Sequence, residues 1–219
     1  MMGKAGKSLA PAQVAEYIER VFAPQTAVQR KLRAYTETLA EGQMLSTPDQ
    51  GVFLGMMARL SGARAALEIG TFTGYSAMAV ASALPAEGRL TCLDMNAETS
   101  ARAREFWQEA GVAERIRLLV GPAGETLERL AAAGERFDFV FIDADKTGYD
   151  RYYEQVLPLL GAQAPILFDN MIRPGVVEGK PQDEAARAIA ALNEKLSRDE
   201  RVWATLLPIG PGMVLAVKR

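Results

Sequence analysis

After Gly62 the chain alternates short apolar runs with stretches whose apolar positions recur at helical spacing. The runs at 65–69, 90–93, 116–120, 137–142 and 165–168 have the length of buried strands. Between them, 75–83, 97–110, 123–133 and 149–160 carry the helical period. Before Gly62 the pattern is helical throughout, at 11–22, 25–39 and 48–60, the last with Pro48 at its start. Strands that alternate with helices predict a parallel sheet covered on both faces. Beyond the fifth run the order changes: 182–199 reads as a helix, and 202–208 and 213–217 as two strands around Gly210-Pro-Gly212. With no helix between them, these two should pair antiparallel.

The expected fold is therefore α/β and Rossmann-like, a seven-stranded, mostly parallel sheet with one antiparallel strand and helices on both faces. That is the arrangement of class I methyltransferases, and it differs from the two-fold repeat of an NAD domain. No repeat, low-complexity tract or long linker interrupts the chain, so one domain over 1–219 is expected, with 1–60 as a helical N-terminal cover and 61–219 as the Rossmann-like core.

Composition narrows the chemistry mainly by exclusion. The chain has no histidine, which rules out Ser-His-Asp and Cys-His hydrolases and His-ligated zinc or iron. Proton transfer is left to Asp, Glu, Lys, Tyr, metal-bound water or the substrate. The net charge of −2, with both signs interspersed, gives no footprint for nucleic acid. No apolar run is long enough to span a bilayer, and no signal-peptide pattern is present, so no membrane partner is expected. A single cysteine, Cys92, excludes an intramolecular disulfide, fits a cytoplasmic setting and reads as a small core residue.

Two segments carry candidate chemistry. Leu67-Glu68-Ile-Gly70-Thr71-Phe-Thr-Gly74-Tyr-Ser76 runs from a strand through a glycine turn into a helix, and Gly70 and Gly74 would let a ligand approach the backbone. Asp94 ends the next strand, where a carboxylate can accept bonds from ribose hydroxyls. The spacing is G-x-x-x-G and not the dinucleotide G-x-G-x-x-G. It suits S-adenosylmethionine, which has no pyrophosphate to cradle. The second segment is a pair of strand ends, Phe137-Asp-Phe-Val-Phe-Ile-Asp143 and Ala164-Pro-Ile-Leu-Phe-Asp169-Asn170. If the two strands are neighbours, Asp143, Asp169 and Asn170 gather oxygen ligands suited to a hard divalent cation such as Mg²⁺. Plainer readings stand beside these: Asp143 and Asp145 as helix caps, Lys146 as a solvated lysine, and Asp169-Asn170 as a turn. Asp138 reads as a solvated strand-start residue, Tyr149, Tyr152 and Tyr153 as a helix packing face, and Met56-Met57 as core or interface packing.

Taken together, Glu68-Ile-Gly-Thr-Phe-Thr-Gly-Tyr-Ser76, Phe141-Ile-Asp-Ala-Asp-Lys146 and Asp169-Asn170 resemble the cation-dependent catechol and caffeoyl-CoA O-methyltransferases, in order and from about Leu39 to the C-terminus. The resemblance implies transfer of a methyl group from S-adenosylmethionine to a vicinal-dihydroxy aromatic small molecule, a hydroxycinnamoyl-CoA or a flavonoid among the candidates. It implies Asp143, Asp169 and Asn170 as ligands of a divalent cation, Mg²⁺ first, with Ca²⁺ or Mn²⁺ as alternatives. Lys146 would be the general base, with Asp143 beside it in catalysis. Met44, Ser46, Glu68, Gly70, Thr71, Ser76, Asp94, Ala123, Asp143, Asp145 and Tyr152 would line the cofactor site, Ala123 beside the adenine and Met44 and Ser46 over the methionyl end. The N-terminal helices would cover the cofactor and help form a homodimer.

The chain departs from this family where Asp169-Asn-Met-Ile-Arg173-Pro174-Gly175 replaces the usual Leu-Trp and polar residue before Gly. An aromatic wall of the acceptor pocket is lost, and Arg173 stands there, able to attract an acidic substrate. The Gly-Gly turn before the fifth strand is also replaced, by Gly161-Ala-Gln-Ala-Pro165. The rival readings are a small-molecule methyltransferase without metal dependence and, more remotely, an NAD-dependent oxidoreductase. A nucleic-acid methyltransferase would want an N-P-P-Y-like run and a basic patch, and the sequence has neither.

Overall fold

A computed structural model describes residues 8–219. Three helices come first: α1 (Ala12–Phe22), α2 (Ala27–Thr36) and α3 (Pro48–Leu60). The helix expected over 25–39 ends at Thr36 and starts two residues late, because Thr26 caps it: Gln29 N donates to Thr26 Oγ1, and Thr26 N to Gln29 Oε1, a reciprocal capping box. Strands and helices then alternate as β1 (Ala65–Ile69), α4 (Tyr75–Ala83), β2 (Arg89–Asp94), α5 (Ala97–Glu109), β3 (Ile116–Val120), α6 (Ala123–Ala132), β4 (Phe139–Ile142), α7 (Tyr149–Val156) and β5 (Pro165–Phe168). The chain closes with α8 (Glu184–Arg198), β6 (Val202–Leu207) and β7 (Met213–Lys218).

Among the described residues the strands form one seven-stranded sheet in the order β3-β2-β1-β4-β5-β7-β6. β1 to β5 pair in parallel, and β7 runs antiparallel to both β5 and β6, so it is the one reversed strand. This agrees with the architecture read from the sequence. Two local differences have simple causes. β4 starts two residues late: Phe137 makes only an isolated bridge to Leu160, and Asp138 turns outward to accept from Arg64 N and Ala65 N at the head of β1. α7 stops at Val156, and a 3-10 turn over Leu157–Leu159 follows, because Pro158 cannot extend the α-helix.

The sheet is buried on both faces. One layer packs Tyr149, Tyr153, Val156, Ile189 and Leu192 of α7 and α8 against Val140, Ile142, Ile166 and Phe168. The other packs α4 and α5, with Phe106 and Trp107, against Leu90, Cys92, Phe139 and Phe141. Leu32 of α2, Leu54 and Ala58 of α3, and Leu45 belong to this second layer, so the N-terminal helices share the sheet's core instead of forming their own. Met57 packs against that layer while Met56 is exposed. Cys92 is fully buried, and burial pushes its thiol well above the usual range, in keeping with an inert core residue.

Candidate active site

Strand order reverses between β1 and β4, and in such sheets ligands bind in the crevice beyond the strands' carboxyl ends at that point. A cavity of about 750 Å³ opens there, within the range of small-molecule sites. Its β1 wall is the glycine turn. Gly70 has φ +88, and a Cβ on it would lie 2.1 Å from the Asp143 carbonyl oxygen, so only glycine lets the ends of β1 and β4 meet. Asp94 braces this turn: its Oδ2 accepts from Thr71 N (2.8 Å) and Phe72 N (2.7 Å), and its Oδ1 from Asn96 N (2.7 Å). Each carboxylate oxygen has lone pairs left for a ligand. Phe72, held at φ +50 by these bonds, and Asn170, at φ +59, are non-glycine cavity residues with a left-handed backbone.

The opposite wall carries the acids. β4 and β5 are neighbours, with Ile142 paired to Phe168, so Asp143 and Asp169 emerge side by side. Asp169 is 2% exposed, and its Oδ1 accepts from Gln50 Nε2 and Asn170 N, both at 2.7 Å. Burial, and then the charge of Asp143, push its carboxyl up to about 7. Lys146 Nζ donates to Asp143 Oδ1 and to the Tyr149 hydroxyl, each at 2.7 Å, and that hydroxyl faces the carbonyls of Ile142 and Asp169 at 3.1 Å. The plain cap readings of these residues fail. Asp145 makes no side-chain cap bond, and its Oδ1 instead accepts from Tyr152 Oη at 2.6 Å.

Of the residues expected at the site, Met44, Ser46, Gly70, Thr71, Ser76, Asp94, Ala123, Asp143, Asp145, Lys146, Tyr152, Asp169, Asn170 and Arg173 all line this one cavity. Ser46 is brought over it by Arg33 of α2, whose Nη1 donates to the Ser46 carbonyl at 2.9 Å. Glu68 and Gly74 do not line it. Glu68 is fully buried behind Ser76, whose hydroxyl donates to its Oε1 at 3.2 Å, and burial raises its carboxyl well above the usual range. Its Oε2 and the Thr71 hydroxyl have no hydrogen-bond partner, so the turn keeps polar atoms beneath the cavity floor. Gly74 serves packing: a Cβ there would meet Trp107 Nε1 at 2.6 Å, and that nitrogen donates to the Gly74 carbonyl.

Gln50 and Tyr149 go beyond what the sequence reading assigned. Thr47-Pro-Asp-Gln50 carries a helix-start signature, and Gln50 Oε1 does accept from Thr47 N (2.8 Å) and Thr47 Oγ1 (3.0 Å). That its amide then reaches Asp169 cannot be read from local spacing. Tyr149 is the packing residue expected, and its hydroxyl also holds Lys146 in place.

The donor set is two carboxylates and one amide, all oxygen, with one carboxyl buried against the charge of the other. Such a pocket suits a hard cation. Among the described residues no three His, Cys, Asp or Glu side chains gather as a metal cluster.

Comparison with known proteins agrees with this geometry. Residues 20–219 match the O-methyltransferase family. The chain is 38% identical over 198 residues to the probable caffeoyl-CoA O-methyltransferase 1 of Dictyostelium discoideum, covering 88% of this chain and 86% of that one. It is 39% identical over 192 residues to the mouse (Mus musculus) catechol O-methyltransferase domain-containing protein 1, covering 86% and 73%. The O-methyltransferase of Bacillus cereus, solved in complex with SAH, superposes with a TM-score of 0.85 at 30% identity, over 94% of this chain and 97% of that one. The chain belongs to the O-methyltransferase family, and its enzyme class is S-adenosylmethionine-dependent methyl transfer.

Proposed function

We propose that the acceptor is a vicinal-dihydroxy aromatic small molecule and that transfer depends on a divalent cation, Mg²⁺ in preference to Ca²⁺ or Mn²⁺. One observation carries this reading: the glycine turn with Asp94, and the Asp143, Asp169, Asn170 and Lys146 group, face a single cavity. Relatives named for caffeoyl-CoA and catechol support the same acceptor chemistry.

Asp94 binds the ribose hydroxyls, Ala123 lies against the adenine, and Met44 and Ser46 close over the methionyl end. Asp143, Asp169 and Asn170 would hold the cation, which, when bound, lowers the pKa of a chelated phenol and fixes its orientation. Gln50 and the Asn170 N–H keep Asp169 Oδ1 turned inward, leaving Oδ2 for a ligand. Lys146, as the neutral amine released from its ion pair with Asp143, receives the phenolic proton as the acceptor oxygen bonds to the methyl carbon and the carbon–sulfur bond breaks. Tyr149 aims the lysine for that transfer.

The ion pair of Lys146 with Asp143 favours one alternative, a metal-independent methyltransferase in which Asp143 only orients the lysine. We further propose a cytoplasmic homodimer. Val14, Tyr17, Val21 and Phe22 leave an apolar face of α1 exposed that a second copy could cover. Among the described residues no helix is long and apolar enough to cross a membrane.

The acceptor reading is tested with labelled S-adenosylmethionine and Mg²⁺, comparing catechol with phenol and with the mono-O-methyl ether of catechol. Transfer to catechol alone is expected. Equal transfer to phenol would remove the need for two adjacent oxygens.

A further inference from the structure

The acceptor wall has one cation that nothing in the proposed chemistry uses. Beyond β5 the chain turns at Asn170, and Met171 N and Ile172 N bond to the carbonyls of Gly212 (2.9 Å) and Pro211 (3.2 Å). Those bonds fix the base of the next residue, Arg173, at the cavity rim. Among the described residues the cavity is lined by the acids Glu41, Asp94, Asp143, Asp145 and Asp169 and by two cations, Lys146 and Arg173. Lys146 is engaged by Asp143 and Tyr149.

Arg173 is not engaged to the same degree. Its Nη2 stands 3.5 Å from Asp183 Oδ2, an exposed carboxylate whose Oδ1 already caps α8 through Ala186 N at 2.6 Å. A half-buried arginine paired at that length with an exposed carboxylate is held only loosely. Its Nε is buried with no hydrogen-bond partner. A buried, unpaired guanidinium nitrogen is costly, and the cost is removed when an acceptor arrives.

We propose that Arg173 binds a carboxylate on the acceptor, so that the preferred substrates are dihydroxyaromatic acids. The proposal rests on the vicinal-diol reading above and deepens it. Guanidinium presents a planar pair of N–H donors that matches a carboxylate edge, whereas a lysine would offer a point charge. One loosely paired cation among five acids fits one negative charge.

The test compares kcat/KM for 3,4-dihydroxybenzoate, 3,4-dihydroxyphenylacetate and 3,4-dihydroxycinnamate, each against its own primary amide. The wild type, Arg173→Gln and Arg173→Lys are measured, with S-adenosylmethionine affinity determined alongside as a check on folding. In the wild type at least one acid should exceed its amide by about tenfold or more, the size of a charge-assisted bond, and chiefly through KM. Arg173→Gln should lose at least about tenfold more on that acid than on the amide, and Arg173→Lys should restore part of the difference.

Equal use of acids and amides by the wild type would overturn the proposal, and so would equal losses on both in Arg173→Gln. Preference for the coenzyme A thioester over the free acid, lost in Arg173→Gln, would also overturn it by assigning the arginine to phosphate. Transfer to the amides without any acid preference defeats this proposal alone. Transfer to none of the six compounds, with the methyl donor still bound, defeats the vicinal-diol reading and this inference together.

Discussion

Lys146→Ala lowers kcat with a catechol acceptor by about 10²- to 10⁴-fold, the loss expected when a positioned general base is removed. The lysine's surroundings make the effect specific. Its Nζ reaches Asp143 and the Tyr149 hydroxyl and rests 4.7 Å from the Tyr149 ring centroid, and it bonds to no residue of the glycine turn. Binding of S-adenosylmethionine should therefore survive while chemistry fails, which single-turnover kinetics beside a donor-binding titration would show. Undiminished kcat in the variant would strip Lys146 of its role as base.

Gly70→Ala strikes both halves of the site at once. The residue sits at φ +88, where an alanine is strained by about 1–2 kcal/mol. Its new Cβ would lie 2.1 Å from the Asp143 carbonyl, inside any allowed contact. Gly70 N bonds to the Leu93 carbonyl and Asp143 N to the Ile69 carbonyl, both at 2.8 Å, so the ends of β1, β2 and β4 must separate to admit it. With about 1–3 kcal/mol for overpacking, the expected total loss is about 2–5 kcal/mol, read from the denaturant midpoint. Donor binding should fall with it, because the turn that carries Thr71 and faces Asp94 is displaced. Gly74→Ala should also destabilise, but through Trp107 in the core and not through the cavity. Wild-type stability and donor affinity in Gly70→Ala would contradict the account of the turn.

Much of this site was legible because its chemistry sits where apolar runs stop. Asp143 and Asp169 each follow a run too apolar to end anywhere but inside a sheet, and the sheet edge then sets them side by side. The reversed β7 was legible for a similar reason, since a Gly/Pro turn leaves no room for a crossover helix. What escaped depends on contacts between distant parts of the chain. The amide of Gln50 satisfies a helix cap and a carboxylate 119 residues away, and only the first is a local pattern. Glu68 stands two positions before Gly70, close enough in sequence to read as cavity lining, yet it is fully buried and Ser76 of α4 lies between it and the cavity. Gly74 looks like ligand-facing backbone until Trp107 of α5 is seen against it. The short β4 reflects Asp138, whose carboxylate is taken by the backbone at the head of β1.

The central claim is that Asp143, Asp169 and Asn170 serve one cation beside the methyl donor. Methyl transfer to catechol by metal-stripped protein, measured before and after Mg²⁺ is returned, tests it most directly, with Asp169→Ala as the companion. Transfer should fall to background on stripping and recover with Mg²⁺ in the wild type but not in the variant. Full transfer in ion-free solution would contradict the claim.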